Sequence, residues 1–459
     1  MPSSRPTQSE DAAPRLRRTL SLWNLVIIGI ILIQPTAPMP LFGVVYDKAH
    51  GHVVTTILIA MAAMLLTAFS YGRMARAYPS AGSAFTYVGR EIHPALGYVT
   101  GWSMAMEYLM NPLICCIWCA EGMVNDPMLS GILPKLPLQF WVVFFALLFT
   151  FLNLHGIRTT ARINEALAVV MGAVILVFFA AAAKYLAGHG GMSGKAFVLP
   201  FYNPETFSLR AVLTGTSLAA LTFIGFDGIS TLSEEVKNPR RNILLATVLT
   251  CLVTGLLAAL QVYVAQLVWP AAKSFPNLET AYSYVAGFIG GPWLFSLVNL
   301  TLLVANIGSG MGSQLAAARL LYGMGCGNAL PKSFFGAIDA KRGIPGKNVL
   351  LAGAIALVGG LFLSYDFGAQ MVNFGAFIAF MGVNLAALIR YYVRAEEKRV
   401  WSNLVPPALG FAICLLIFLS LESPAKFWGG AWVAAGLLYG AWRTRGFRGG
   451  PVDFELPPE

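Results

Sequence analysis

The chain has 459 residues, of which 57% are hydrophobic and only 11% are charged, and its formal net charge is +10 at pH 7. Soluble domains carry about 25% charged residues, so the composition excludes a soluble globular protein and predicts an all-α polytopic membrane protein. We interpret the positive charge as a sign of membrane topology and not of nucleic-acid binding.

Apolar runs long enough to cross a bilayer recur along the whole chain. They predict twelve transmembrane helices, at residues 22–46, 53–72, 94–124, 138–155, 162–187, 207–236, 242–269, 293–323, 348–364, 369–392, 402–420 and 427–442. If the amino terminus is cytoplasmic, 24 of the 31 Lys and Arg residues fall on the inside. This bias supports both the count and an orientation with both termini in the cytoplasm.

Span 1 contains three prolines within six residues, Pro35, Pro38 and Pro40. Each proline removes an amide donor and obstructs the preceding helical turn. One proline in a span commonly marks only a kink, whereas three together predict that the helix is interrupted.

Span 6 carries Asp227 between Gly225 and Gly228. Glycine in a helix interior costs about 1 kcal/mol, and a carboxylate at membrane depth costs about 3 kcal/mol or more. These residues predict a second interrupted helix around a polar site. The alternative is an acid paired with a basic residue inside the bundle, but no Lys or Arg lies at mid-depth in the predicted spans.

The two interrupted spans occupy corresponding places, because span 1 runs outward and span 6, five spans later, runs inward. That arrangement indicates an inverted-repeat secondary transporter. We predict a cytoplasmic tail at 1–20, a first repeat at 21–190 (helices 1–5), a second repeat at 191–400 (helices 6–10), helices 11 and 12 at 401–445, and a cytoplasmic tail at 446–459.

Residues near the two interruptions suit an organic ammonium. Prolines leave the stretch 34–38 with few amide donors for a carboxylate, while Glu107 in span 3 and Asp227 supply negative charge. An aromatic face beside a cation contributes about 0.5–2 kcal/mol, although ordinary helix packing is the alternative role for each aromatic residue. The predicted substrate-binding residues are Gln34, Pro35, Thr36, Ala37, Glu107, Tyr108, Asn111, Phe223, Gly225, Phe226 and Asp227.

For coupling we expect a proton carried by Glu107 or Asp227, because intramembrane carboxyl groups form proton relays in transporters. Ser309 and Ser313 in span 8 are further coupling candidates as hydroxyl ligands, with packing as their alternative role. Sodium coupling would need more oxygen ligands than these, and exchange without an ion stays open.

No cofactor or metal is expected. The C-x-x-C spacing within residues 115–119 falls inside an apolar span without a second ligand pair, and no phosphate-binding P-loop motif that would indicate ATP-driven transport is present.

Several motifs resemble the amino acid–polyamine–organocation (APC) transporter family. They lie at residues 78–87 with 97–102, 224–227 with 233–243, 318–324 with 328–331, and 373–375 with 383–384. The resemblance covers about residues 16–445 and is nearest to bacterial putrescine and aromatic-amine importers. It implies a leucine-transporter-type 5+5 inverted repeat with broken helices 1 and 6, working by alternating access. Amino-acid members of the family usually have a Gly-Ser-Gly break in span 1. At that place this chain has Gln-Pro-Thr-Ala-Pro, residues 34–38.

We therefore expect a proton-coupled importer of putrescine, cadaverine or an aromatic amine in the bacterial cytoplasmic (inner) membrane, as a monomer or homodimer. The alternative is an amino acid permease or amino acid/amine exchanger of the same family. A channel would need a continuous polar pore. A membrane enzyme would need paired acid, base or metal groups at one depth, for which only Glu107 and Asp227 qualify, so we expect no enzymatic activity.

Overall fold

The computed structural model of the protein describes residues 20–78, 83–129, 136–155, 161–188, 194, 196–231, 236–269, 274–326, 330–339 and 344–443. Within these residues the regular structure is helical, and the only β-type pairings are two isolated bridges, Leu20 with Val236 and Asp339 with Ile344. The all-α prediction is confirmed for this part of the chain. Apart from Leu20, the predicted tails at 1–20 and 446–459 lie outside the described residues.

The first half of the described chain contains seven helices. They are α1 (Leu22–Ile33), α2 (Phe42–Lys48), α3 (Val53–Ala77), α4 (Ser83–Glu91), α5 (Pro94–Asn125), α6 (Leu138–Leu154) and α7 (Ala161–Gly188). Serine begins the first of them, because the Ser21 hydroxyl accepts a hydrogen bond from the Asn24 amide at 3.3 Å, which satisfies one of the free donors of a helix start.

The second half continues with α8 (Leu209–Ala219), a 3₁₀ turn (Ala220–Phe223), α9 (Gly228–Thr231), α10 (Pro239–Val268), α11 (Ala281–Cys326), α12 (Lys332–Phe335), α13 (Gly346–Phe362), α14 (Tyr365–Leu388), α15 (Val405–Leu419) and α16 (Ser423–Arg443). Two π-helical turns, Ile389–Val393 and Val400–Leu404, lie between α14 and α15. Ser208 and Ser364 cap α8 and α14 through their hydroxyls.

Helix α11 is longer than the predicted span at 293–323, because it begins at Ala281. This helix consists of two segments, which meet at a kink at Gly291. The φ of Gly291 is +74°. Glycine adopts this conformation without the steric cost of a Cβ, and Pro292 follows at a position where a new helical segment tolerates the missing amide. The prediction therefore missed the first segment of this helix.

Eight of the described helical segments are long and apolar enough to cross a membrane, and three further apolar helices are shorter. Large apolar side chains on these helices stay exposed, for example Val169 and Leu256, as expected where lipid is the neighbour. The protein is thus a multi-pass membrane protein. The count of twelve spans and the inverted repeat stay predictions.

Helix α5 occupies the centre of the bundle, where it packs against α4, α6, α11, α13, α14 and α16. Close approach of α14 is possible because a glycine, Gly375, faces α5: a Cβ built there would lie 3.2 Å from the Cβ of Glu107. Helices α3 and α10 pack together beside this centre, and both contact the interrupted stretch that follows α8.

Candidate functional site

The first predicted interruption is present. Helix α1 ends at Ile33, Gln34 takes a φ of +72°, and the turns that contain the three prolines last until α2 begins at Phe42. The missing amide hydrogens of Pro35, Pro38 and Pro40 make a continuous helical hydrogen-bond pattern impossible here.

The second interruption follows α8. The helix tightens into the 3₁₀ turn, Ile224 leaves the helical conformation with a ψ of +131°, and Gly225 has a φ of +116°. Only glycine reaches this region without strain. Helix α9 then begins at Gly228, so the chain is non-helical on both sides of Gly225.

The two interruptions are in contact. A Cβ built on Gly225 would lie 3.1 Å from the Leu32 carbonyl oxygen, and one built on Gly228 would lie 3.2 Å from the Leu32 side chain. The end of α1 therefore packs directly on the glycines that flank Asp227.

Backbone amides at both interruptions are largely used within the chain. The Gln34 amide donates to the Ile30 carbonyl, and the Ala37 amide donates to the Gln34 carbonyl. Since Pro35 and Pro38 have no amide hydrogen, Thr36 is the one residue in 34–38 whose amide has no partner among the described residues. In the second interruption, the amides of Ile224, Phe226 and Gly228 donate to the carbonyls of Leu221, Phe223 and Gly225.

Asp227 occupies the position before the first residue of α9. The backbone amides of Gly225, Asp227 and Gly228 lie beside its carboxylate and favour its charged form, as expected for an acid at a helix start. The residue is 8% exposed. Its role in binding a ligand stays a prediction.

Glu107 on α5 has a different environment. It is 5% exposed, and no described residue donates a hydrogen bond to its carboxylate. Asp227 lies close enough to influence it electrostatically. Among the described residues the ion pairs lie elsewhere, on Lys48, Glu91 and Glu397. The structure therefore brings two carboxylates together without a basic partner.

The predicted aromatic residues divide into two groups. Phe223 and Phe226 are fully buried. Phe226 packs edge-on against Tyr71 at a centroid distance of 5.4 Å and in a tilted arrangement against Phe380 at 5.3 Å. Tyr108 is only partly buried and is near both Glu107 and Asp227. Core packing accounts for Phe223, while Phe226 precedes Asp227 in the chain and Tyr108 is near both acids.

The remaining predicted residues meet on one face of α11. Asn111 donates hydrogen bonds to the Ser309 hydroxyl at 3.2 Å and to the Ser313 hydroxyl at 2.6 Å, and the Gln34 side chain donates to the Ala305 carbonyl at 3.0 Å. Positions 305, 309 and 313 repeat every four residues and share a helix face. This face thus connects the first interruption to α5 at Asn111, which follows Glu107 by four residues.

Several polar residues around the interruptions were missed by the sequence analysis. Gln261 on α10 donates to the Pro35 carbonyl at 2.9 Å, while its side-chain oxygen is buried without a described partner. Three buried hydroxyls near the interruptions share that property, on Tyr71, Ser103 and Thr222, as does the hydroxyl of Thr36, which the sequence had predicted. Buried polar groups are normally hydrogen-bonded, so these oxygens are available to a polar ligand. Their position at mid-depth in apolar spans is the sequence signal that could have identified them.

No group of three or more metal-ligating side chains occurs among the described residues. Cys115, Cys116 and Cys119 are buried, and each has a free thiol. The arrangement can hold a small polar or cationic molecule, because it offers carboxylates, hydroxyls and aromatic rings and lacks a basic side chain.

Comparison with known proteins extends these observations. The sequence profile described as amino acid permease matches residues 20–431. The low-affinity putrescine importer PlaP of Escherichia coli is 32% identical over 452 residues, which cover 96% of each chain. The branched-chain amino acid permease BcaP of Lactococcus lactis is 26% identical, covering 95% of this chain and 96% of the relative. Cationic amino acid transporter 3 (mitochondrial) of Arabidopsis thaliana is 27% identical, covering 85% and 65%.

Proposed function

Since this chain belongs to the amino acid permease family and is a transporter and not an enzyme, we propose that it imports a small organic amine by proton-coupled secondary transport. Putrescine, cadaverine and aromatic amines are the substrates that fit best. The observation that carries this proposal is how few backbone amides at the two interruptions are free to bind a ligand. A carboxylate bound at a broken helix needs free amides. Within 34–38 only the Thr36 amide has no described partner, and the amides of Gly225, Asp227 and Gly228 lie beside the Asp227 carboxylate, which would repel a second one.

The ammonium is bound, in this proposal, by Glu107. Its carboxylate has no hydrogen-bond donor among the described residues and lies near a second acid. Asp227 adds negative potential while it caps α9, and Tyr108 and Phe226 provide aromatic surface for a cation. The unpaired oxygens of Thr36, Tyr71 and Ser103 accept hydrogen bonds from the remaining ammonium hydrogens.

The proposed architecture has twelve spans. Residues 21–190 and 191–400 form two inverted repeats, and 401–445 adds two helices. The facing interruptions after α1 and α8 support this arrangement, because transporters of this design bind substrate where such helices meet. The excess of Lys and Arg in alternate loops supports cytoplasmic termini, and the Escherichia coli relative supports a bacterial inner membrane. The transporter acts as a monomer or homodimer.

Coupling to a proton is proposed through Glu107 or Asp227. The other coupling candidates, Ser309 and Ser313, accept hydrogen bonds from the Asn111 amide group, so their hydroxyls are engaged in joining α5 to α11. In proteoliposomes, an imposed inward proton gradient should drive amine accumulation, and an inward sodium gradient at equal pH should not. Accumulation driven only by sodium, or only by a counter-substrate, would exclude proton coupling.

An amino acid permease or amino acid/amine exchanger is the second candidate. It is favoured by the free amide of Thr36 and by relatives named for branched-chain and cationic amino acids. Matched ligands that differ only by the carboxylate separate the two functions: putrescine against ornithine, cadaverine against lysine, and tyramine against tyrosine. A ligand that binds the folded protein raises its unfolding temperature by mass action. We expect the amine of each pair to give the larger shift. An equal or larger shift with the amino acid would rule out the amine assignment.

A further inference from the structure

A polar pocket of about 420 Å³ lies far from the interruptions, between the end of α3, helix α4 and the π-helical turn after α14. It is lined by Tyr78, Glu91, Arg390, Tyr391 and Arg394. None of these residues belongs to the proposed amine site.

Positive charge dominates this pocket. Glu91 is 2% exposed and binds two guanidinium groups: Arg390 contacts one carboxylate oxygen, and Arg394 contacts the other at 3.0 Å. Two more arginines lie against the lining tyrosines, Arg90 at 5.5 Å from the Tyr78 ring and Arg73 at 3.8 Å from the Tyr391 ring. Among the residues that the structure describes, four arginines thus surround one carboxylate, a formal charge of +3.

The two lining arginines retain unused donors. A guanidinium has five N–H donors in a planar fork, and Arg394 uses one Nη to bind Glu91. Arg390 also uses a single Nη atom, which donates to both the Glu91 carboxylate and the Tyr78 hydroxyl. The Arg394 side chain is 57% exposed. Free donors on a fixed fork match the oxygens of a phosphate group, which arginine binds in bidentate fashion.

Apolar and aromatic side chains beside the pocket indicate that it lies at the lipid headgroup level. The two π-helical turns pack against each other, and Val393 and Trp401 project from them with exposures of 57% and 84%. Tryptophan concentrates at the membrane–water interface, and basic pockets at the ends of membrane helices bind anionic headgroups. Arg73 joins the second turn to α3 by donating to the Ser402 carbonyl.

We propose that this pocket binds the phosphate of an anionic phospholipid, such as phosphatidylglycerol, in the leaflet at the arginine-rich end of the bundle. One phosphate oxygen pair meets the free donors of Arg394 and Arg390, and the acyl chains lie against Val393 and the neighbouring apolar surface. By the bias of positive charge, this leaflet is the cytoplasmic one.

The test compares Arg394→Gln with Arg399→Gln in the purified full-length protein. Arg399 lies on the same loop, is 73% exposed and pairs only with Glu397 among the described residues, so its replacement makes the same charge change outside the pocket. Binding of phosphatidylglycerol is measured by native mass spectrometry, with phosphatidylcholine as the neutral lipid. We expect Arg394→Gln to weaken phosphatidylglycerol binding about fivefold, which corresponds to about 1 kcal/mol for one arginine, and Arg399→Gln to leave it unchanged. Equal binding by the two variants would overturn the proposal.

A second arm distinguishes lipid from soluble phosphate. Inorganic phosphate and glycerol phosphate at millimolar concentration should not displace the lipid, because neither reaches the apolar surface. Displacement that depends on Arg394 would identify a soluble phosphate as the ligand and refute the lipid assignment. If Arg394→Gln does not fold, Arg394→Lys keeps the charge opposite Glu91 and removes the fork. Phosphatidylglycerol binding by this variant equal to that of the parent would also refute the proposal.

Discussion

Gly225 faces the carbonyl oxygen of Leu32: a Cβ built on the glycine would lie 3.1 Å from that oxygen. The contact joins two chain segments almost two hundred residues apart at the point where both helices are interrupted. It depends on the absence of a side chain and on the φ of +116° that Gly225 adopts, so this position is sensitive to any substitution.

Gly225→Ala tests this contact. The added methyl group meets the Leu32 carbonyl and the backbone conformation is strained, which together should cost about 1–3 kcal/mol. We expect a lower unfolding temperature in a neutral detergent and a loss of amine uptake. The control is Gly172→Ala on α7, where a Cβ would meet nothing within 4 Å. Unchanged stability and uptake in Gly225→Ala would contradict the packing described here.

Glu107→Gln tests the proposed ammonium partner. Removing one partner of a buried ion pair costs about 3 kcal/mol or more, so amine affinity should fall by about a hundredfold or more. The variant keeps the side-chain volume opposite Gly375, so its fold should survive. Isothermal titration with the preferred amine gives the affinity, and Glu205→Gln in an exposed loop is the control. Amine affinity equal to the parent's would remove Glu107 from the site.

Asp227→Asn separates capping from ligand binding. The asparagine oxygen still accepts one backbone amide at the start of α9, so we expect a loss of about 1 kcal/mol in stability and a smaller loss of amine affinity than in Glu107→Gln. Unfolding temperature and affinity are measured on the same sample. A greater loss of affinity in Asp227→Asn than in Glu107→Gln would make Asp227 the main ammonium partner.

Lys48→Gln tests an ion cluster at the end of α2. Lys48 contacts Glu422 at 2.6 Å and Asp366 at 3.1 Å. Burial raises the pKa of the Glu422 carboxyl, but hydrogen bonds from Lys48 and Gln370 outweigh it, so the net pKa lies below the ordinary value. A group with a depressed folded pKa stabilises the fold above its unfolded pKa, about 4.3, and this contribution is lost as pH falls through the folded pKa.

The parent should therefore be more stable than Lys48→Gln at pH 7, by less than about 1 kcal/mol because the three side chains are 23–35% exposed to solvent. The difference should disappear below about pH 4. Unfolding temperatures between pH 3 and pH 7 measure it. Lys426→Gln in the same region is the control, since Lys426 donates to the Leu419 carbonyl and takes no part in the described ion pairs. A difference that grows towards low pH would contradict this assignment.

Trp432→Phe tests the attachment of α16. Trp102 and Trp432 each donate their indole N–H to the other's backbone carbonyl, at 2.9 and 3.0 Å, and their rings stack at 4.9 Å. Phenylalanine keeps a ring and removes one donor, so we expect a loss of about 1 kcal/mol in stability with amine affinity unchanged. Trp442→Phe on the same helix, 74% exposed, is the control. Equal stability of the two variants would show that the reciprocal hydrogen bonds contribute nothing.

Local chemistry explains what could be predicted from the sequence. Three prolines cannot share a continuous helix, and an acid between two glycines weakens one, so both interruptions were located without coordinates. The apolar runs identified the membrane class for the same reason, because length and hydropathy act within a single segment. The first segment of α11 was missed because the boundary between its two segments depends on the backbone conformation of one residue, Gly291.

Tertiary packing decided what the site residues do. The sequence placed Asn111, Ser309 and Ser313 as separate candidates, and only the apposition of α5 and α11 joined them by hydrogen bonds. It offered both Asp227 and Glu107 as acids for the substrate, whereas the folded chain places backbone amides beside Asp227 and leaves Glu107 without a described hydrogen-bond donor. Hydrogen bonds between distant residues depend on how whole helices pack, and hydropathy along the chain carries no information about which donors are already used.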